Sequence, residues 1–305
     1  MQAMAAVPDT KPQPVLVFDR PAQVRALIIA LAFAAVYHVV LRTLARQWQS
    51  ADWSHGWLIP LFSIYLVYMR WERVRRCPVR HAWVGLVLML AALGMYQYSL
   101  WGVVIGYLRP LSMLLCLLGV IIYLFGLPML RHVWVPWLYL FFAIPLPKRI
   151  YFALTDPLRR IAATAATALL NLIPDLDIER VGSTISYMYG GQHGGLDVAD
   201  ACSGMRSAMT LCALGVAVAF VSDRPWWQRA ILIAMCIPIA ILANIIRVTI
   251  TCLLYVFVDP KYATGTYHAI LGLVTLMIAF GIFTGVGWLL SNLFVDESAA
   301  GSEAS

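Results

Sequence analysis

The run RAILIAMCIPIAILANIIRVTITCLLYVFV, residues 229–258, decides how this chain folds. After Arg229, its only charged residue is Arg247. A helix needs roughly 20 apolar residues to cross a bilayer core of about 30 Å. The run is therefore long enough to span a membrane, and it carries one costly charge inside the span.

Similar apolar runs occur along most of the 305 residues. Hydrophobic residues make up 62% of the chain and charged residues 12%, against about 25% charged in soluble domains. This composition excludes an ordinary soluble enzyme and predicts an all-α polytopic membrane protein with about eight transmembrane helices. The predicted spans are 24–42, 55–70, 82–102, 109–127, 132–145, 206–222, 229–258 and 268–294.

Basic residues orient these spans. The loop between the second and third spans carries five arginines between Arg70 and Arg80, and loops rich in arginine stay in the cytoplasm. Both termini are then cytoplasmic. The predicted organisation is a tail over 1–22, a single membrane domain over 23–295 and a second tail over 296–305.

The longest segment on the outer face in this topology is 146–205. Residues 157–173 predict a helix with Pro157 in its first turn. This helix is interfacial or re-entrant, because a full crossing would place the later basic loop at Arg224 and Arg229 outside. Residues 178–200 carry Val, Ile, Thr and Tyr around a Gly-Gly-x-x-Gly-Gly turn, which predicts a small outer-face β-hairpin.

Cys202 is, in this topology, the only one of the six cysteines on the outer face. It comes where an extended segment enters span six, and backbone N–H groups at a helix start favour a thiolate. The alternative interpretation is a small buried cysteine near a helix cap. No CxxC pair and no His/Cys cluster at zinc spacing occurs, so the sequence predicts no metal and no cofactor.

A second candidate lies in span seven, where Asn244, Arg247 and Thr251 share one helix face. A charge at the bilayer centre costs at least ~2.5–3.5 kcal/mol. Arg247 follows Arg229 by 18 residues, or roughly 27 Å of helix, which places it near the outer boundary of the hydrocarbon. It either snorkels to the headgroups or points into the bundle, and the polar face favours the bundle.

His268 begins span eight at the same membrane level as Cys202 and Arg247. A cysteine nucleophile, an imidazole acid/base and a guanidinium oxyanion partner form a complete set for acyl transfer. A lone interfacial histidine is more often structural, so this interpretation depends on three helices converging. Arg206, one turn after the cysteine, would hold a substrate carboxylate or meet lipid phosphates, and His55 would line the same cavity.

The order of these motifs resembles the exosortases and archaeosortases, over about residues 50 to 290. The motifs are, in chain order, Ser54-His55-Gly56 with Pro60, Pro145-x-Pro147 with the helix after it, Cys202-Ser-Gly-Met-Arg206, Asn244-Ile-Ile-Arg247 and His268. One departure is Met205, where the family has a branched aliphatic residue. A substitution of similar volume there puts little in doubt.

The resemblance implies a membrane cysteine transpeptidase, a thiol protease of the bacterial inner membrane whose active site faces outward. Its substrates would be exported proteins with a PEP-CTERM-type C-terminal signal, which consists of a short motif, a transmembrane helix and a basic tail. By family matching Cys202 would be the nucleophile, completed by Arg247 and His268. Supporting or substrate-binding roles would go to Ser203, Arg206, Asn244 and His55. The acceptor is an amine, a lipid or water.

Two other functions stay open. A small-solute transporter would use Arg247 and Asn244 as its substrate site, but no inverted internal repeat occurs. A non-enzymatic assembly factor for envelope exopolysaccharide is the second. The net charge of +7 comes largely from loops that flank the spans, without the basic stripe of a nucleic-acid-binding module. We therefore expect lipids and exported proteins as partners, and no nucleic acid.

Overall fold

Helices dominate the computed structural model, which describes residues 20–78, 80–101, 106–182, 184–197, 205–222, 224–263 and 265–293. The helices are α1 (Arg20–Gln47), α2 (Leu58–Met69), α3 (Trp71–Arg75), α4 (Trp83–Trp101), α5 (Leu108–Phe125), α6 (Leu127–Tyr139), α7 (Lys148–Leu170), α8 (Met205–Val221), α9 (Trp226–Phe257) and α10 (Gly265–Leu293). Short 3-10 turns cover Ala51–Trp57, Leu140–Ala143 and Pro260–Ala263.

Five helices in the described part of the chain are long and apolar enough to cross a membrane: Gln23–Gln47, Trp83–Trp101, Leu108–Phe125, Trp226–Phe257 and Gly265–Leu293. The protein is therefore an integral membrane protein with several spans. The other three predicted spans coincide with shorter helices. Helices α2, α6 and α8 have 12, 13 and 17 residues. At 1.5 Å per residue the first two reach only about 18–20 Å.

Prolines explain the shape of the fifth predicted span. The chain over Leu127–Ala143 and Lys148–Leu170 is a pair of helices bent by 83° at the break that contains Pro145 and Pro147. Neither proline can donate a helical N–H, so the first helix ends there. A bent pair of this kind is a broken span or a re-entrant loop, and counting it as one span raises the total to six among the described residues.

The helix predicted over 157–173 differs from α7. The prediction placed Pro157 in the first turn, whereas α7 begins at Lys148 and contains Pro157 in its interior. Lys148 follows Pro147, whose extended backbone serves as the N-cap. Proline is favoured at a helix start but tolerated inside when neighbouring groups compensate. The prediction of the start was therefore wrong by about three turns.

The chain divides into two compact units, Met1–Gln47 with Gly56–Ile144, and Trp48–His55 with Pro145–Ser305. In the first unit the closest helix contact is between α4 and α5. A methyl group on Gly85 would lie 2.2 Å from the backbone nitrogen of Tyr123, and one on Gly119 would lie 2.8 Å from that of Met89. The two glycines therefore let the helix backbones touch, as small residues do in membrane bundles.

The second unit combines helices with a sheet. Strands β1 (Leu176–Val181), β2 (Thr184–Tyr189) and β3 (Gln192–Asp197) form an antiparallel sheet in sequential order. The predicted hairpin is thus a three-stranded meander that begins before residue 178. Gly190 and Gly191, at φ 57° and 79°, form the two-residue turn that joins β2 to β3.

Buried residues from α7, the sheet and α9 form one core within this unit. Its members are Ala162, Ala163, Ala166, Leu170, Leu176, Ile178, Ile185, Val248 and Cys252. Small alanines on α7 allow close approach to α9, and one face of the sheet covers the same part of α9. The sheet is therefore packed against the segment of α9 that carries Arg247.

Candidate active site

The middle of α9 presents a buried polar face. Asn244, Arg247 and Thr251 are 4%, 6% and 0% exposed. The Thr251 hydroxyl donates to the carbonyl oxygen of Arg247 at 2.8 Å, so this threonine is satisfied within its own helix. The face lies inside the second unit, as its spacing predicted, and Arg247 does not snorkel out of it.

Arg247 meets His268 across α9 and α10. Nη2 of Arg247 lies 2.5 Å from Nε2 of His268. A guanidinium has donors only, so Nε2 of His268 is the acceptor in this hydrogen bond. A methyl group on Gly272, one turn beyond His268, would lie 3.7 Å from Cζ of Arg247. The guanidinium therefore rests close to the α10 backbone, beside the histidine.

Asn244 lies one turn before Arg247 on the same face. Both polar atoms of its amide are buried, and none of the described residues forms a hydrogen bond with them. An amide that stays buried and unsatisfied costs about 1–3 kcal/mol. Asn244 therefore offers a donor and an acceptor without a described partner, on the face of α9 that carries Arg247.

The sheet and α7 hold this part of α9 in position. Val248 and Cys252 of α9 pack in the core against Ile178 and Ile185 of the sheet. Tyr187 contributes an edge-on contact with Tyr255, with ring centroids 5.9 Å apart. Aromatic pairs in this geometry add to the energy of burial. These apolar contacts involve Val248 and Cys252, which follow Arg247 by one and five residues on α9.

A second polar cluster forms around Asp52. Nε and Nη2 of Arg206 donate to Oδ1 of Asp52 at 3.1 and 2.9 Å. The Tyr151 hydroxyl donates to Oδ2 at 3.4 Å, and the Trp53 ring packs on Tyr151 with centroids 6.4 Å apart. Arg206 thus has an intramolecular carboxylate partner. The cluster ties segment 48–55 to the start of α8 and to α7.

Asp52 and Tyr151 were missed at the level of sequence. Asp52 immediately precedes the Trp53-Ser54-His55 segment that was singled out, and its charge is opposite to that of Arg206. That charge match was the available signal. The pair is 154 positions apart, and no periodic pattern links an acidic residue before one helix to an arginine in another.

His55 is buried in the second unit, with its ring 5.8 Å from that of Trp53. Cys202 and Ser203, the predicted nucleophile and its neighbour, lie outside the described residues. Among the described residues, the candidate side chains form two separate polar contacts, Arg247 with His268 and Asp52 with Arg206. No set of three potential metal-ligating side chains comes together within the described ranges.

The turn before α10 carries a charge of its own. The backbone N–H of Lys261 donates to the Asp259 carboxylate at 2.9 Å, and the Lys261 ammonium lies 3.2 Å away. These two contacts hold the pKa of Asp259 below its usual value. Because the folded-state pKa is depressed, the stabilisation is present above the unfolded-state pKa and is lost as the pH falls through the folded one.

The sequence matches one known protein family. The family model described as transmembrane exosortase matches residues 47–285. No curated protein and no solved structure matches the chain. The matched stretch covers most of the chain and includes both polar clusters, from Asp52 to His268. On this match, the chain belongs to the transmembrane exosortase family.

Proposed function

We propose that this exosortase is a cysteine transpeptidase that cleaves the C-terminal sorting signal of exported proteins through a thioester on Cys202. The observation that carries the proposal is the part-buried contact between Arg247 and His268. A guanidinium and an imidazole at hydrogen-bond distance inside membrane helices supply an electrostatic partner for an oxyanion and a proton carrier. The sequence supplies the nucleophile at the segment that enters α8.

The chemistry begins with proton transfer from the Cys202 thiol to His268. Nε2 of His268 accepts a hydrogen bond from Arg247, and it cannot accept the thiol proton at the same time. Substrate binding therefore separates the pair. The released guanidinium turns to the substrate carbonyl, and like charge keeps Arg247 and the newly formed imidazolium apart.

The thiolate then attacks the substrate carbonyl carbon, and a C–S bond forms as the carbonyl oxygen becomes an oxyanion. Arg247 stabilises that oxyanion from a water-poor site, where each contact is strong. The C–N bond breaks, and His268 gives its proton to the leaving amine. An incoming amine or water attacks the thioester and returns a proton to His268, which restores the thiol as the product leaves.

Asn244 fits this scheme as a substrate-binding residue. Its buried amide offers one acceptor and two donors, which match the N–H and C=O groups of a peptide. A peptide backbone laid along this face would satisfy the amide and lie next to Arg247. Substrates of this chemistry are exported proteins with a motif, one transmembrane helix and a basic tail, presented at the outer face of the inner membrane with both enzyme termini cytoplasmic.

The test is processing in cells that express the full chain together with exported proteins of the same genome that carry such a signal. Cys202→Ser keeps size and replaces a thiol by a far weaker nucleophile. We expect normal enzyme level and an uncleaved C-terminus, read by mass spectrometry of the substrate. Cys212→Ser, ten residues further on and also in the second unit, is the matched control and should process normally.

Trimmed substrate in the Cys202→Ser strain, with no other processing enzyme present, contradicts the proposal. Full activity of Cys202→Ala would favour a function without covalent chemistry. Loss of the protein from the membrane in the variant would be detected by immunoblot, and the thioester itself is then sought in wild type by trapping with hydroxylamine. Absence of any trapped substrate would also contradict the proposal.

A further inference from the structure

The three-stranded sheet has two edges, and the register shows which backbone groups face each edge. Tyr189 and Gln192 close the turn between β2 and β3, and the pairing continues from Met188 with His193. In an antiparallel ladder, hydrogen-bonded and non-hydrogen-bonded pairs alternate, and a two-residue turn is closed by a bonded pair. His193 and Gly195 therefore direct their backbone N–H and C=O groups away from β2, toward the outer edge.

The same alternation on β1 makes Ile178 an outward-facing residue, and this edge is closed. Oδ1 of Asn171 accepts from the Ile178 N–H at 3.1 Å, and Nδ2 of Asn171 donates to the Ile178 carbonyl at 3.2 Å. The Leu176 N–H donates to the Ile173 carbonyl at 3.4 Å. The loop between α7 and β1 thus takes the place of a fourth strand.

The β3 edge has no such cover among the described residues. No described group hydrogen-bonds to the outward backbone of His193 or Gly195, and β3 pairs with β2 alone. Gly194 and Gly195 also remove two successive side chains from this strand. On one face the Tyr187 ring fills the place of the missing side chain, since a methyl group on Gly194 would lie 2.5 Å from its Cε1.

Open edges are rare in native sheets because they invite pairing with another chain. Asn171 covers the β1 edge at Ile178. The β3 edge has no such partner among the described residues. The chain continues from Asp197, the last residue of β3, to Cys202 in five residues. A strand added to β3 would therefore pair with a strand whose last residue precedes the proposed nucleophile by five residues in the sequence.

We propose that the β3 edge, at His193 and Gly195, binds the extended segment of the exported substrate that precedes its transmembrane helix, by strand addition. The inference rests on the proposed function, which requires an extended peptide beside Cys202. Strand addition uses backbone hydrogen bonds for affinity. It therefore accepts substrates that differ in sequence around a short motif.

The packing of the sheet supports a substrate peptide as the occupant of the β3 edge. Its inner face is occupied by the core with α7 and α9, so only the edge is available for pairing. The core residues Val248 and Cys252 follow Arg247 on α9. A peptide on the β3 edge is thus bound by the sheet that positions the candidate oxyanion partner.

Cross-linking tests the contact. The full chain, with Cys202→Ser to stop turnover, carries the photo-reactive residue p-benzoylphenylalanine in place of His193 and is co-expressed with a substrate that has the C-terminal signal. We expect a cross-link between enzyme and substrate. The same photo-reactive residue in place of Val181, which is exposed on β1, is the control and should give none. A cross-link only to a second copy of the chain overturns the proposal.

A backbone variant tests the hydrogen bond. Gly195→Pro removes an outward N–H and leaves the β2–β3 ladder intact, because proline is tolerated on edge strands. With Cys202 present, we expect roughly a five- to tenfold loss in processing at low substrate, the value of one hydrogen bond. Arg180→Pro makes the same change at another outward-facing residue of β1 and should not reduce processing. Equal losses in both variants overturn the proposal.

The two proposals fail separately. If Cys202→Ser still processes substrate while the His193 position cross-links it, strand addition stands and the cysteine mechanism does not. If Cys202→Ser blocks processing but the His193 and Val181 positions give the same cross-links, the mechanism stands and strand addition is wrong.

Discussion

Arg247 shows how a buried charge is tolerated in a membrane helix. Its guanidinium donates to His268 and rests on the α10 backbone at Gly272, so its contacts come from α10 as well as from its own helix. Holding an arginine at 6% exposure is costly in a membrane protein, and such residues are usually functional. The planar fork of arginine is the property that the proposed oxyanion role needs.

Arg247→Lys separates charge from geometry. Lysine keeps the positive charge but loses the fork that donates from two directions. We expect processing to fall about a hundredfold, the scale of losing one oxyanion donor, with enzyme level unchanged on immunoblot. Wild-type processing by the lysine variant would show that charge alone suffices.

Replacing Asp52 tests whether its ion pair with Arg206 affects processing more than stability. The ion pair with Arg206 is 40–44% exposed, and pairs of this exposure contribute about 0–1 kcal/mol to stability. Asp52→Asn should therefore leave the unfolding midpoint nearly unchanged. It should still slow processing, since segment 48–55 with His55 is then less firmly tied to the start of α8.

The control for Asp52 is Glu72→Gln, which removes the exposed ion pair of Glu72 with Arg75. Glu72 lies outside both polar clusters, so processing should be unaffected. If both variants slow processing equally, the effect of Asp52 is a general effect of lost surface charge and the link to α8 is irrelevant.

Thiol labelling distinguishes the cysteines. Burial raises the pKa of the Cys77 thiol, so its reactive thiolate is scarce at neutral pH and increases only as the pH rises above the usual thiol value. Cys116, Cys236 and Cys252 are buried, and Cys212, which is partly exposed, lies in the middle of the apolar helix α8. A membrane-impermeant maleimide at pH 7 should therefore label the intact protein at one position, which Cys202→Ser abolishes. Labelling that survives this substitution would place an outer thiol elsewhere.

At the scale of elements, the contact of α4 with α5 depends on two glycines. Gly85→Ala would put a methyl group 2.2 Å from a backbone atom of Tyr123, so the helices must separate, at a cost of typically 1–3 kcal/mol. We expect a lower unfolding midpoint in detergent. Gly94→Ala in the same helix, with no atom within 4 Å of the new methyl group, should leave the midpoint unchanged or slightly raised. An unchanged midpoint for Gly85→Ala would show that the helices are further apart.

Elements also show what the sequence predicts and what it does not. The long spans follow directly from apolar length, and the polar face of α9 follows from helical spacing. Helix α8 (Met205–Val221) also coincides with the predicted run 206–222. Helix α2 is shorter than the predicted run 55–70, because the first residues of that run lie in a 3-10 turn that ends at Trp57. The start of α7 was mispredicted because Pro157 is an ordinary sign of a helix start.

The candidate site was also predictable from the sequence only in part. Arg247 and His268 could be matched by membrane depth, since each position follows from counting residues along a helix. Asp52 and Tyr151 could not, because their contacts depend on how a short segment folds back onto distant helices. The open β3 edge required the register, which composition does not supply.

At the scale of the whole molecule, the topology is a prediction that reporter fusions test. Fusions after residues 80 and 225 should report cytoplasmic, because arginine-rich loops are retained there, and fusions near 190 and 262 should report external. Arg224 and Arg229 also bind backbone carbonyls of Gly287 and Ser222, so the fusion after 225 must keep both arginines. A cytoplasmic result at 190 would place the sheet and Cys202 in the wrong compartment and contradict the topology.

The second unit is assembled from distant parts of the chain, and this has a consequence for its synthesis. Segment 48–55 is made early, but its partner Arg206 comes 154 positions later, about 8 to 30 seconds of translation at typical rates. His268 follows later still. If Cys202 is the nucleophile and His268 the proton carrier, as proposed, a nascent chain carries the first before the second and cannot yet complete the reaction. On the proposed function, exported proteins inserted nearby during that interval would meet a chain that cannot yet cut them.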